Sequence, residues 1–306
     1  MIAPLTGNPA AMSRREGDSW GIADGVGRTA LGVAMARAWE SSAERPLFID
    51  PYAQLFVDAA GGLGPDPTPE RKHSITNYAA ARTKWFDEFF IAAGSAGITQ
   101  VVILAAGLDA RAWRLPWLSD TVIFEVDQPK VLAFKAETLA SSGAQPAVRD
   151  VPVAVDLRDD WPHALTAAGF DHTEPTAWSL EGLLPYLPAD SQDRLFEQIA
   201  LYSARGSRVA VEAFSPAFFQ PDNLARYQER MTRMGATAAA VGEQVPDTDD
   251  LWFMEERTDV ATWLCGHRWE VDSISAVDLM NRYHRAWVAT DEDPLALSVF
   301  VEGRLI

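Results

Sequence analysis

The run Val101-Val-Ile-Leu-Ala-Ala-Gly-Leu-Asp-Ala-Arg111 constrains this chain more than any other stretch. An apolar run with no period-2 alternation is a strand covered on both faces, which places it inside a parallel sheet flanked by helices. Ligands in such sheets sit outside the carboxyl ends of the strands. A site is therefore predicted just after Leu104, at the turn through Gly107 and Asp109.

The neighbouring sequence repeats the unit. Val122–Asp127 reads as a second strand, and Gln128–Ser141 as a helix with Asp127 as N-cap and Pro129 in its first turn. Val151–Val155, Ala177–Glu181 and Ser207–Phe214 read as further strands, with a helix capped by Asp190 over Ala189–Ala204. Strands alternating with helices imply right-handed crossovers and a doubly wound α/β sheet. Upstream, apolar spacing predicts a helix over Asp24–Trp39, and Asp50-Pro51 reads as the cap and first position of a short helix. In a helix over residues 75–93, Tyr78, Arg82, Trp85 and Phe89 share one face. Arg82 there is either a guanidinium lying over aromatic rings or one held for a carboxylate.

Residues 215–250 break the rhythm, with a helical patch over Leu224–Met234 and an acidic turn over Pro246–Asp250. Helices at Asp259–Leu264 and Ala276–Arg285 and strands at Trp269–Ile274 and Leu297–Glu302 complete the reading. The predicted organisation is a frayed terminus over 1–17 and a single domain over 18–306. Within it, residues 18–95 form a helical cap, 96–214 the ligand-binding core, 215–250 a lid-like insertion and 251–306 the C-terminal part of the sheet.

A hydrophobic fraction of 48%, with 11 Trp and 14 Phe in 306 residues, is enough for a sizeable core. The formal charge of -17 opposes a phosphate backbone and an acidic membrane surface, so no nucleic-acid partner is expected. No apolar run approaches the roughly 18 residues that span a bilayer. The single cysteine, Cys265, excludes an intrachain disulfide and fits a cytoplasmic protein. The five histidines lack metal-ligand spacing, so no metal is expected, and there is no G-x-S-x-G elbow of a hydrolase.

Four candidate ligand positions fall at four consecutive strand ends: Gly107, Asp127, Asp156 and Glu181. Asp127 lies 20 residues beyond Gly107, the separation at which an acidic residue reaches ribose hydroxyls, although a helix N-cap is an equal reading. Asp156 reads equally as a turn cap, and Glu181 as the partner of a nearby arginine. In a dinucleotide fingerprint, Asp109 would occupy the middle glycine and set one anion against the pyrophosphate. S-adenosylmethionine carries no phosphate and presents a sulfonium and an ammonium, so an acidic turn favours it over NAD. Asp109 also reads as a cap of a short helix over Ala110–Arg114.

Val101–Arg111, Phe124-Glu-Val-Asp-Gln-Pro129, Val155-Asp-Leu-Arg158 and Leu180-Glu-Gly-Leu-Leu-Pro-Tyr-Leu187, in this order and spacing, resemble the leucine carboxyl methyltransferase-like family, in its mycobacterial-type branch of S-adenosylmethionine-dependent methyltransferases. The resemblance covers most of the chain from Ser19 and includes the Asp50-Pro-Tyr-Ala segment. It implies a class I methyltransferase (Rossmann-like) fold, a seven-stranded sheet with its last strand antiparallel and added helices over the pocket. Carried over by residue, Gly107 approaches the methionine part of the donor, Asp127 binds the ribose, and Asp156 with Leu157 meets the adenine. Glu181 lies near the donor's methionine end and Arg82 binds its carboxylate. Ala105 departs from the pattern, standing where many class I enzymes place the first glycine of the loop.

The resemblance implies a carboxylate acceptor, which is ionised at pH 7 and needs no general base. A hydroxyl acceptor needs one, and His73, His284 and Glu212 are the candidates. Tyr186 is a further candidate, as an acceptor contact. The expected acceptor is a small or medium apolar molecule, lipid-like or polyketide-like. The rival readings are an NAD(P)-dependent oxidoreductase on a related sheet and a non-catalytic donor-binding protein of the same fold.

Overall fold

The apolar runs form the centre of one sheet. In the computed structural model, which describes residues 25–64, 67–240, 252–286 and 294–306, strand β1 (Gln100–Leu104) is buried throughout. It pairs in parallel with β2 (Val122–Asp127) on one side and β4 (Thr176–Leu180) on the other. With β3 (Arg149–Ala154), β5 (Arg208–Phe214), β6 (Trp269–Ser275) and β7 (Ser298–Leu305), the order is β3-β2-β1-β4-β5-β7-β6. β7, last in sequence, runs antiparallel to both β5 and β6, giving the class I methyltransferase topology. Chain direction across the sheet reverses beside β1, and such a switch point opens a crevice at the carboxyl ends.

Both faces of β1 are covered, which explains its unbroken apolar character. Val102 and Leu104 join Phe124, Val126, Trp178 and Leu180 in one core layer, against α6 (Trp161–Ala167), α7 (Ala189–Leu201) and α9 (Val260–Gly266). Val101 and Ile103 join the other layer, against α3 (Pro69–Ser95) and α10 (Ala276–Arg282). The predicted face of α3 is in the second layer, where Tyr78, Trp85 and Phe89 pack with Phe86 and Phe90. A third cluster joins α1 (Gly25–Ser41), α2 (Ala53–Ala59) and α5 (Pro129–Ser141) beside the turn after β1. Among the described residues no helix is long and apolar enough to cross a membrane.

Three caps differ from the sequence reading. Helix α2 begins at Ala53, because Asp50 accepts from the backbone N–H of both Tyr52 and Ala53 and so turns the chain before the helix starts. Pro188 occupies the N-cap position of α7, while Asp190 lies in its first turn and pairs with Arg194. Helix α5 follows Gln128 rather than Asp127, whose carboxylate is directed elsewhere. The expected frayed terminus 1–17 and the Pro246–Asp250 turn lie outside the described residues, and the helical patch extends to α8 (Pro221–Ala240).

One buried ion pair sits within the sheet, where Lys135 of α5 reaches Glu125 of β2. Both are almost wholly enclosed, and Glu125 Oε1 accepts no hydrogen bond. Burial pushes the Glu125 carboxyl up to about 8, although Lys135 pulls the other way. A carboxyl raised above its unfolded value of about 4.3 adds stability that is full below that value and is lost as pH rises through about 8. Lys135→Met is therefore expected to destabilise by about 3–5 kcal/mol at pH 9, where Glu125 is charged, and by much less at pH 5. Urea unfolding at the two pH values checks this, and Glu125→Leu added to Lys135→Met should recover most of the loss.

Candidate functional site

The crevice beside β1 is a cavity of about 870 Å³, near the upper end of the about 300–1,000 Å³ found for small-molecule sites. Strand ends β1 to β5 form its floor, and α1 and α3 cover it. Its far wall carries Tyr186, Phe214, Trp252 and Phe253. The six residues expected at the donor and the expected acceptor contact all lie on its wall, namely Arg82, Gly107, Asp127, Asp156, Leu157 and Glu181, with Tyr186.

The turn after β1 is built from two consecutive demands on the backbone. Ala105 adopts φ 55, a left-handed conformation that costs a non-glycine residue about 1–2 kcal/mol. Gly107 adopts φ 52, and a Cβ there would stand 3.5 Å from Ala30 of α1, so the glycine keeps the turn open toward the cavity. The Gly107 N–H donates to Asp127 Oδ2 at 2.7 Å, and the Gln128 N–H donates to Oδ1 at 2.6 Å. Asp127 thus ties the β1 turn to the end of β2. Burial raises its pKa against the pull of those two N–H groups.

At the end of β3, Asp156 is fully engaged. It accepts from the Arg158 backbone N–H and side chain, and from Gln128 Nε2 at 2.9 Å. Burial acts upward on its pKa, yet the Arg158 hydrogen bonds hold it below the ordinary value. Leu157, partly buried, follows on the same wall. Tyr186, in the 3-10 turn Leu184–Tyr186, donates to Thr29 Oγ1 at 3.2 Å and meets Trp252 edge to face.

Glu181 lies between two arginines. Arg82 Nε donates to Oε1 at 2.8 Å and Arg111 Nη1 to Oε2 at 2.8 Å. Burial works upward on this carboxyl as well, but Arg111 and Arg82 keep its pKa below the usual value. From Arg111 the pairing continues to Asp109 and Asp87, from Asp87 to Arg114, and through Asp50 to Arg37. At the other end, Arg82 Nη1 is 3.2 Å from Glu212 Oε2, and the Tyr78 hydroxyl donates to Glu212 Oε1 at 2.5 Å. Four arginines (37, 82, 111, 114) meet five carboxylates (50, 87, 109, 181, 212), leaving one negative charge in excess.

This chain changes the meaning of Asp109. Burial pushes its carboxyl up, but Arg111, helped by Lys135 and Arg37, outweighs this and leaves it at about 2, and it also accepts from the Arg111 backbone N–H. Its charge is therefore paired within the protein, and the anionic character of the site belongs to the whole cluster. It does not cap the short helix α4 (Arg111–Arg114) through the N-cap position, which Ala110 occupies. Arg82 resolves the same way, in an ion-paired position rather than over the rings of its own helix face.

Of the three candidate bases, only Glu212 lies on the cavity wall; His73 and His284 are exposed and do not line it. Sequence reading missed Arg111, Asp87, Arg114 and Arg37, although Arg111 closes the very stretch that located the site. Gln128, inside the quoted Asp-Gln-Pro motif, was also missed as the link between Asp127 and Asp156. Among the described residues no cluster of three or more metal-ligating side chains is present.

A family profile for leucine carboxyl methyltransferases matches residues 30–200. A protein of Mycobacterium marinum, classed among S-adenosyl-L-methionine-dependent methyltransferases, is 50% identical over 312 residues, covering 96% of this chain and 99% of its own. One of Mycobacteroides abscessus, with the same description, is 51% identical over 308 residues, covering 95% and 98%. Magnesium protoporphyrin IX methyltransferase of Synechocystis, solved with S-adenosylhomocysteine bound, superposes with a TM-score of 0.47 at 11% identity, over 90% of this chain and 99% of that one. The chain belongs to the leucine carboxyl methyltransferase family and is an S-adenosylmethionine-dependent methyltransferase.

Proposed function

We propose that the enzyme methylates an oxygen, of a carboxylate or a hydroxyl group, on a small or medium apolar acceptor of lipid-like or polyketide-like character. The observation that carries this reading is the pairing of an anionic floor with an aromatic far wall in one cavity. The donor's sulfonium, ammonium and carboxylate sum to one positive charge, which the excess carboxylate of the floor complements. The aromatic wall offers an apolar surface to the acceptor.

The residues present fit such a donor. Gly107 keeps side-chain volume out of the turn where the methionine part approaches, and Asp127, beside it, faces the ribose hydroxyls. Asp156 and Leu157 flank the adenine, with Gln128 between the two aspartates. Glu181 attends the ammonium end. Arg82 serves the donor carboxylate through Nη2, which makes no hydrogen bond among the described residues. That atom lies 3.0 Å from where a Cβ on Gly182 would stand, so glycine at 182 leaves room for it. Tyr186 is an acceptor contact on the far wall.

When bound, S-adenosylmethionine supplies an electrophilic methyl group on a sulfonium. The protein's part is to hold that carbon in line with the acceptor oxygen and to exclude water. In this reading residues 18–95 act as the cap, 96–214 as the donor-binding core and 215–250 as a lid-like insertion, with 251–306 completing the sheet. The net charge of -17 supports a small-molecule acceptor over a nucleic acid, and the single cysteine supports a cytoplasmic setting.

Calorimetric titration tests the donor site. Asp127→Ala is expected to weaken S-adenosylhomocysteine binding by roughly 1–3 kcal/mol, whereas unchanged affinity with a lowered melting temperature would reduce Asp127 to a tie between strands. Incubation with radiolabelled S-adenosylmethionine and a panel of apolar carboxylic acids and phenols should label at least one of the two groups. Label on amines or thiols alone would sink the oxygen-acceptor reading.

A further inference from the structure

The cavity extends well past its anionic floor. Helix α1 starts over the β1 turn, where a Cβ on Gly107 would stand 3.5 Å from Ala30, and ends beside the start of α3, where Lys72 Nζ lies 4.4 Å from the centre of the Trp39 ring. The two helices therefore run antiparallel, and the cavity wall follows both. On α3 it passes from Arg82 through Tyr78 and Ile75 to Arg71, positions that recur at helical spacing on one face. A rise of about 1.5 Å per residue puts Arg71 about 16 Å along the helix axis from Arg82.

This arm differs in chemistry from the floor. The carboxylates on the cavity wall, Asp109, Asp127, Asp156, Glu181 and Glu212, all belong to the strand ends and the turns that follow them. The arm is built from Gly32, Val33 and Ala36 of α1, Ile75 and Ala79 of α3, and Leu63 after α2. Val33, Leu63 and Ile75 are only half-buried, so the wall presents apolar surface to the cavity. Four cations line the whole cavity, and three are neutralised: Arg37 by Asp50, Arg82 by Glu181 and Glu212, and Arg158 by Asp156. Arg71 is exposed, and among the described residues its side chain makes no ion pair or hydrogen bond. Its neighbour Glu70 does not line the cavity. An unpaired guanidinium at the end of an apolar passage offers a fork of donors suited to a carboxylate or phosphate.

We infer that the arm between α1 and α3 takes the tail of the methyl acceptor, an aliphatic chain of roughly ten carbon–carbon bonds of about 1.5 Å whose remote end carries an oxyanion, carboxylate or phosphate, held by Arg71. Arg71 is too far from the donor's methionine end to touch the oxygen that is methylated, so the anion it holds is a second group on the same molecule. This inference rests on the apolar-acceptor reading of the cavity and adds the other end of that acceptor. The aromatic wall receives the end that is methylated. Burial of hydrocarbon along the arm favours any chain, and the guanidinium selects among chains by the charge at their tip.

The test uses the full chain saturated with S-adenosylhomocysteine and four ten-carbon probes below their micelle-forming concentrations: decanoate, decyl phosphate, decanol and decyltrimethylammonium. Calorimetric titration is expected to show at least one anionic probe binding about fivefold or more tighter than decanol, with the cation weakest, against the sense of the net charge of -17. Arg71→Glu should abolish the preference for the anion. Arg205→Glu makes the same charge change at an exposed position before β5, at the opposite ends of the strands, and should keep it. Arg71→Gln decides the matter if Arg71→Glu fails to fold by circular dichroism, since it too removes the cation. Anionic probes binding no tighter than decanol to the wild type, binding of no probe, a preference unchanged in a folded Arg71 variant, or an equal loss in Arg205→Glu would each overturn the inference. Failure of the wild type to bind S-adenosylhomocysteine would instead overturn the donor reading beneath it.

Discussion

The site depends on one buried cation. Arg111 is 2% exposed and contacts Asp87 of α3, Asp109 of the β1 turn and Glu181 at the end of β4, with the Thr83 carbonyl as a further acceptor. Removing a guanidinium and three carboxylates from water is costly unless every hydrogen-bonding position is matched, and a planar fork of five donors is suited to that. The result joins α3, a loop and a strand end through one side chain. Arg82 and Arg114 extend the linkage in two directions, so the floor of the cavity is fixed from Arg37 on α1 to Glu212 on β5.

This arrangement divides the cavity by physics as well as by position. On the floor, charges are paired at contact distance in a poorly solvated setting, where each unpaired lone pair has a large effect. At the far wall, Trp252 contacts both Phe214 and Tyr227, which lies behind it, and Phe214 stacks on Phe218 at 3.9 Å, so that surface is ordered by ring contacts rather than by ions. The proposed recognition of a charged donor and an apolar acceptor draws on both environments, and Glu212 and Phe214 line the crevice where they meet.

How much of this was legible beforehand follows from the range of the interactions involved. The strands were readable because burial on both faces leaves 101–104 apolar throughout and 122–126 interrupted by Glu125 alone. Gly107, Asp127, Asp156 and Glu181 were readable because each lies at the carboxyl end of its strand or within three residues of it, and strand ends converge in a doubly wound sheet. The ion-pair cluster was not, since it joins residues as distant as Asp87 and Arg111 or Arg82 and Glu212, and nothing local distinguishes a buried arginine from an exposed one. Asp127 and Asp190 were misread as caps for the opposite reason, because the local preference of aspartate was outweighed by a tertiary partner in one case and a surface arginine in the other.

The position of β7 has a consequence for assembly. It enters between β5 and β6, pairing with both, and its first residue, Ser298, lines the cavity. Until residues 298–305 are synthesised and inserted, β5 presents an unpaired hydrophobic edge and β6 has no neighbour in the sheet. Partners as far apart as Arg208 and Arg304 must then meet across nearly a hundred residues, a slow kind of closure. The nascent chain therefore passes through a stage in which the part of the crevice lined by β1 to β4 can form while the part at Ser298 still lacks its wall, and its exposed β5 edge is the segment most in need of protection by chaperones.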